Sequence, residues 1–138
     1  MLYRRVVMKK LAVLMLCLIL LGGCGFSEEY KKVKDLDFTV VTQEEIPKEL
    51  FDVIEKKKEG EFNLTYKDGD FLYIATGRGE QETGGYSMTV AELYLSENAV
   101  CVDVDLIGPS KDENTSKAKS YPYIVIKIEN AELPVIFL

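Results

Sequence analysis

The most reactive side chains in this sequence are a cysteine and two carboxylates. Cys101, Asp103 and Asp105 alternate along one predicted strand, so they lie on the same face of it. A thiolate beside two carboxylates raises the hypothesis of a metal or redox site. Thiolates select soft metals and carboxylates hard ones, and the chain has no histidine to complete either ligand set. We therefore expect a solvated strand face, a small cysteine under the helix or at a sheet edge, and no metal or other cofactor.

The glycine-rich turns do not match known catalytic motifs. Gly77-Arg78-Gly79 is not followed by the Lys-Ser/Thr pair and the helix that a phosphate-binding loop needs. Ser87 lies near Gly84-Gly85, but the flanking residues do not form a G-x-S-x-G elbow, and no histidine can activate the hydroxyl. The sequence therefore predicts a protein that is not an enzyme.

One helix is predicted ahead of these residues. Ile46, Leu50 and Ile54 recur at helical spacing, and charged residues cover the opposite side. Thr42-Gln43-Glu44-Glu45 has the spacing of a capping box, and Gly60 is a typical helix stop. The pattern predicts a helix at about 46–59.

The rest of the chain has the period of two that is typical of strands. A change of parity near Ala91-Glu92 predicts a bulge. About seven short strands without a strand-helix alternation favour a mainly β domain, either a small antiparallel sandwich or a barrel-like fold, with one N-terminal helix. The predicted strands lie at about 37–41, 62–66, 71–76, 86–95, 100–106, 123–128 and 135–138.

The first residues resemble a bacterial lipoprotein signal. Met8-Lys9-Lys10 precedes a short apolar run that ends in Leu21-Gly22-Gly23-Cys24, which resembles a lipobox. In a lipobox the cysteine is diacylated and becomes the new N-terminus. We therefore expect a signal peptide at 1–23, a lipidated Cys24 with a polar tether at 24–36, and a β domain at 37–138. The protein is expected on the extracytoplasmic face of the cell membrane, held there by its lipid.

The charge of the remaining chain excludes some partners. Residues 1–23 contain four basic residues and no acidic one, so the rest carries 13 basic and 23 acidic side chains, a formal charge of −10. Such a surface repels nucleic acid and anionic headgroups. Cys17 would leave with the signal and Cys24 would be lipidated, so Cys101 has no cysteine left to pair with. We expect neither a disulfide nor a nucleic-acid partner.

Two motifs remain as candidates for binding. Thr83-Gly84-Gly85-Tyr86 ends a loop that is predicted to run from Gly77 to Gly85, longer than a simple hairpin needs. Tyr121-Pro122-Tyr123 opens the apolar strand near the C-terminus. Large, half-polar tyrosines at strand entrances are typical of interface anchors, but the same residues can also pack under the end of a domain. Both interpretations stay open at this stage.

These motifs, together with Gly108-Pro109, resemble the PrcB C-terminal domain family, from about Asp70 to Ile128. That family is named for a subunit of a cell-surface serine protease complex, and many of its members resemble small lipoproteins of this layout. Thr83-Gly84-Gly85-Tyr86 and Tyr121-Pro122-Tyr123 are also similar to the two loops of chagasin-type inhibitors of cysteine proteases.

The resemblance implies a binding module that associates with a surface protease and stabilises or regulates it. The expected partner-binding residues are Thr83, Gly84, Gly85, Tyr86, Pro109, Tyr121, Pro122 and Tyr123. The alternative is an envelope lipoprotein with a structural or small-ligand-binding role and no protease partner.

Overall fold

The computed structural model describes residues 30–138, which form eight strands, one 3-10 helix and one α-helix. The predicted signal peptide and Cys24 lie outside the described residues. No helix within residues 30–138 has the length and apolar character needed to cross a membrane. The elements are β1 (Lys34–Asp35), β2 (Thr39–Val40), a 3-10 helix (Gln43–Glu45), α1 (Lys48–Lys57), β3 (Glu61–Asp68), β4 (Phe71–Arg78), β5 (Ser87–Leu95), β6 (Val100–Ile107), β7 (Tyr123–Glu129) and β8 (Val135–Phe137).

The strands form two four-stranded sheets that pack face to face. Sheet A has the order β1-β5-β6-β8, and sheet B has the order β2-β7-β4-β3. Alternate residues of β4, β6 and β7, such as Ile74, Val102 and Ile126, point between the sheets and are almost fully buried there. The predicted mainly β fold is confirmed as a sandwich, and the barrel alternative does not apply because the sheets do not close.

Helix α1 covers the outer face of sheet B. Leu50 and Ile54 pack onto the strand residues of opposite parity, including Ala75 and Val125. The helix is shorter than the predicted 46–59. Ile46 has an extended backbone (ψ 130°), as expected of a residue before proline, so α1 starts only after Pro47.

The predicted capping box at Thr42 is wrong. Thr42 precedes the 3-10 helix, and its side chain makes no capping hydrogen bond. Its carbonyl instead accepts the backbone amide of Glu45 at 2.9 Å. The apolar run that follows therefore enters α1 through an extended Ile46-Pro47 step instead of a capped first turn.

The strand pattern is largely confirmed, with two differences. The bulge lies between Val90 and Glu92, as predicted, and β7 lies between β2 and β4 as a central strand. However, eight strands replace the predicted seven, and β8 pairs with β6 in parallel instead of antiparallel. Periodicity along a strand specifies its faces but carries no information on the direction of its neighbour.

The N-terminal boundary also differs from the prediction. β1 (Lys34–Asp35) pairs with β5 inside the segment 24–36 that was predicted to be a tether. Tyr30 packs against a small cluster on the outer face of sheet A. The polar side chains of β1 are exposed, which explains why hydropathy did not reveal it; its backbone pairs with β5.

Cys101 belongs to that outer cluster. Its side chain has no exposed surface and packs with Tyr94 of β5 and with Ala99, the residue before β6, while Tyr30 and Ile136 lie against the same cluster. The thiol is therefore not under the helix. It is not at a sheet edge either, because β6 is an inner strand of its sheet. Asp105, on the same strand face, is exposed as predicted, and Asp103 is half-buried.

Candidate functional site

The two candidate loops lie side by side at one end of the sandwich. The first, residues 79–86, leads from β4 in sheet B to β5 in sheet A. The second, residues 108–122, leads from β6 in sheet A back to β7 in sheet B. Because β4 pairs with β7 and β5 pairs with β6, both crossings are forced to the same end.

Hydrogen bonds join the two loops directly. Gln81 and Ser120 exchange backbone bonds of 2.8 and 3.0 Å, and the Gly84 amide donates to the Ser116 carbonyl at 2.9 Å. The Ser120 hydroxyl donates to the Thr83 carbonyl at 2.6 Å. The first loop is also shorter than predicted, because its predicted first residues, Gly77 and Arg78, belong to β4.

The two glycines of the first motif have different roles. Gly85 has a left-handed backbone (φ 86°), and a Cβ there would lie 2.8 Å from Thr115 Cγ2 and 2.9 Å from Pro109 Cβ. Gly84 has no positive φ, and its nearest atom would be Ser116 Cβ at 3.4 Å. Gly85 thus lets the first loop approach the second, an intramolecular contact that the sequence alone did not reveal.

Tyr86 and Pro109 complete the contact between the loops. Tyr86 is half-buried, and its ring lies against Gly108, where a Cβ would be 3.4 Å from Tyr86 Cε1. Pro109 is half-buried beside Gly85. These residues hold the end of the sandwich in shape and leave only part of their surface to solvent.

Tyr121 is half-buried and lies among charged side chains. Its hydroxyl donates to Glu80 at 3.3 Å, and the same carboxylate pairs with Lys119 at 3.3 Å. Lys58, at the end of α1, lies 5.5 Å from the centre of the Tyr121 ring. We call Tyr121 with Lys58, Glu80 and Lys119 the Tyr121 patch.

Tyr123 lies two residues further along and packs inward. Its ring centre is 6.4 Å from that of Phe62. Burial, and secondarily the Glu55 carboxylate, raise the pKa of Tyr123, while Lys58 opposes them. The Lys58 pKa is raised by its 3.0 Å contact with Glu55. Pro122 contributes its carbonyl, which accepts the Arg78 amide at 3.1 Å.

Arg78 is a site residue that sequence reasoning missed. Its guanidinium donates to the Val104 carbonyl of sheet A at 2.7 Å and to Thr76 Oγ1 at 3.4 Å. It thereby ties the two sheets together beneath the loops. Only the pairing of the sheets brings Val104 within reach, so no pattern in the sequence could have indicated this role.

A groove lies at the opposite end of sheet B. It has a volume of about 690 Å³ and contains Phe38, Phe71 and Tyr73, with Lys127 Nζ 4.0 Å from the Phe71 ring centre. Four carboxylates, Asp35, Asp37, Glu45 and Glu129, also line it. The candidate loops do not contribute to this groove.

The site offers contact surface more than reactive groups. Ser120 uses its hydroxyl to hold the loops together. No group of three or more Cys, Asp or Glu side chains in residues 30–138 is arranged to hold a metal ion. The described geometry is that of two hydrogen-bonded loops flanked by a tyrosine and two lysines.

No curated protein and no solved structure shows a significant similarity to the chain. The model of one protein family does match, and it covers both candidate loops and strands β4 to β7. That family is PrcB C-terminal, matched at residues 72–129, and the resemblance predicted from the sequence motifs is thereby confirmed.

Proposed function

We propose that this chain is a lipid-anchored binding module on the extracytoplasmic face of the membrane, which associates with a surface serine protease and stabilises or regulates it. Cys24 carries the lipid, and the double loop at 79–86 and 108–122 makes the contact. The observation that carries the proposal is the family match at residues 72–129, because it includes both loops.

The geometry of the double loop supports a binding role. Hydrogen bonds between the loops fix their backbones before any partner arrives, which reduces the entropy lost on binding. The Tyr121 patch adds a half-buried ring with a lysine over it, and tyrosine is among the residues that most often anchor interfaces.

A crosslinking pull-down from native membranes tests the proposal. The bait is the tagged full chain, and the test variant is Tyr121→Ala. We expect a secreted protease to be captured by the native chain and to be reduced roughly tenfold or more by the variant, which is the loss typical of an interface anchor. Cys24→Ser tests the anchor in the same preparation: it should move the chain from the membrane to the soluble fraction.

Phe71→Ala is the matched control. Phe71 also has a lysine ammonium over its ring, but it lies at the other end of β4 from the loops. Phe71→Ala should therefore leave capture of the protease unchanged. Equal capture by the native chain, Tyr121→Ala and Phe71→Ala would contradict the assignment of the loops. If the native chain captures no protease, the proposal of a protease partner is contradicted.

The groove beside Lys127 favours a second candidate function, a small-ligand-binding lipoprotein without a protease partner. Its volume of about 690 Å³ is within the range of known ligand sites. Under this alternative, Phe71→Ala would impair function and Tyr121→Ala would not.

A further inference from the structure

Strand β3 is the long unpaired edge of the sandwich. It has eight residues, all paired with β4, and no described strand lies on its other side. The other strands at the sheet edges are short, since β1 and β2 have two residues each and β8 has three. A long edge strand is a template for pairing with another chain.

The β3 edge has few of the features that block such pairing. Its register with β4 is continuous from Glu61 to Asp68 without a bulge, and it contains no proline. Its charged residues, Glu61, Lys67 and Asp68, are at the two ends, so the centre of the strand is uncharged. Natural edges are commonly interrupted at such places by lysine, proline or a bulge.

The hairpin geometry shows which backbone groups point outward. Asp68 and Phe71 flank the two-residue turn at Gly69, whose φ of 60° is typical of a hairpin turn, and they therefore form a hydrogen-bonded pair. Bonding alternates along an antiparallel ladder, so Leu64 and the residues of its parity bond to β4. Glu61, Asn63, Thr65 and Lys67 direct their amides and carbonyls away from the sheet.

We propose that β3 pairs with β3 of a second copy of this chain, antiparallel and centred on Leu64, so that the two B sheets join into one sheet of eight strands. The twofold axis passes between the two Leu64 residues. Such an interface uses the same surface on both subunits, as is usual in dimers. This inference is independent of the proposed function.

The charges of β3 are self-complementary in this register. Glu61 lies opposite Lys67 of the second copy, and by symmetry the pair occurs twice. Phe62 faces Tyr66 of the second copy on the helix side, and Asn63 faces Thr65 on the other. Only registers that pair outward-bonding residues with each other are allowed, and among these a single one brings Glu61 opposite Lys67.

Lys67 already has a partner within the chain. Its ammonium contacts Glu132 Oε1 at 2.9 Å, but both side chains are more than half exposed. Exposed ion pairs contribute little to stability, so the lysine is free to turn towards a second copy. Leu64 and Tyr66, which are only half-buried, would lose exposed surface in the dimer.

Disulfide trapping in the full chain tests the axis. In the proposed register two Leu64 residues form a non-hydrogen-bonded pair with Cα atoms about 4.5 Å apart, which a disulfide can bridge. Leu64→Cys should therefore crosslink to a dimer under mild oxidation. Asn63→Cys is the matched control, because its symmetry mate lies two residues further along, roughly 8 Å away, beyond the reach of a disulfide. The unsubstituted chain measures any background from Cys17, Cys24 and Cys101.

Charge exchange and sedimentation provide the second measurement. Glu61→Lys should raise the dimer dissociation constant roughly tenfold or more, and adding Lys67→Glu should restore most of the loss, since both symmetric pairs become attractive again. Thr65→Pro should give a folded monomer, because it removes an outward amide and no bond to β4.

The proposal is overturned if the chain sediments as a monomer at a concentration of roughly tens of micromolar, where even a weak dimer forms. Equal crosslinking of Leu64→Cys and Asn63→Cys also overturns it, as does a dimer that is insensitive to Glu61→Lys. If Thr65→Pro fails to fold, the charge exchange decides, because Glu61 and Lys67 are exposed and can be replaced without loss of packing.

Discussion

At the scale of single residues, the glycines of the candidate site are explained by contacts within the chain. Gly77 pairs with Tyr123 in sheet B, and a Cβ on it would overlap the Phe62 ring. Gly85 needs its left-handed backbone and its missing side chain to meet the second loop. Neither requires an external partner, so their presence is evidence for a shaped loop and not by itself for binding.

The residue-scale prediction compares the two adjacent glycines. Gly85→Ala should lower the free energy of unfolding by about 2 kcal/mol, because it adds left-handed strain and a clash with Thr115 and Pro109. Gly84→Ala should change it by less than about 0.5 kcal/mol, because its backbone is not left-handed and its Cβ has room. Urea unfolding of both variants measures the difference. Equal effects would contradict the described contact between the loops.

At the scale of elements, α1 covers the outer face of sheet B, and packing against that sheet is its main source of stability. Its first turn is not capped by a side chain, and Pro47 fixes its start. An isolated helix of ten residues is marginal in water, so its stability comes from packing. Ile54 is completely buried against the sheet and Leu50 nearly so.

A substitution in α1 tests how far the helix depends on packing. Ile54→Ala should destabilise the domain by about 3 kcal/mol, the cost of a cavity under the helix. Val53→Ala is the matched control: Val53 directly precedes Ile54 but is 38% exposed, and its truncation should cost less than about 0.5 kcal/mol. Thermal unfolding followed by circular dichroism measures both. A small loss for Ile54→Ala would mean that α1 does not hold the outer face of sheet B.

At the scale of the whole molecule, the resolved pKa shifts share one direction. Burial raises the pKa of Tyr66, Tyr94 and Tyr123, and contacts with carboxylates raise those of Lys32 and Lys58. In each case the folded state holds its proton more tightly than the unfolded chain. Such groups contribute stability at neutral pH that is lost as the pH rises through the folded pKa.

The whole-molecule prediction follows from that sign. The free energy of unfolding should be flat from about pH 7 to 9 and should fall above about pH 10, where unfolded tyrosine and lysine lose their protons first. Tyr123→Phe removes one of these protons and should make the alkaline fall shallower. Urea unfolding at a series of pH values measures both slopes. Identical slopes would contradict a buried, protonated Tyr123.

Some elements of the fold could be predicted from the sequence, and others could not. The bulge at 90–92 and the central position of β7 were predictable, because side-chain alternation and apolarity on both faces report directly on strand geometry. β1 and the parallel direction of β8 were not, because the exposed polar side chains of β1 leave no mark on hydropathy and periodicity carries no information on the direction of a neighbouring strand. Within the site, the motif residues were found, whereas Arg78, Glu80 and Lys119 depend on contacts between distant segments.

The sequence by itself determined the mainly β class, the single α-helix and the family resemblance from about Asp70 to Ile128, because these depend on local periodicity and on motifs. The tertiary structure alone decided that the two loops meet, that the glycines serve that meeting, and that β3 presents a free edge. Those features depend on the order of strands in the two sheets. Strand order is fixed by how the whole chain buries its apolar faces at once, which no short stretch of sequence records.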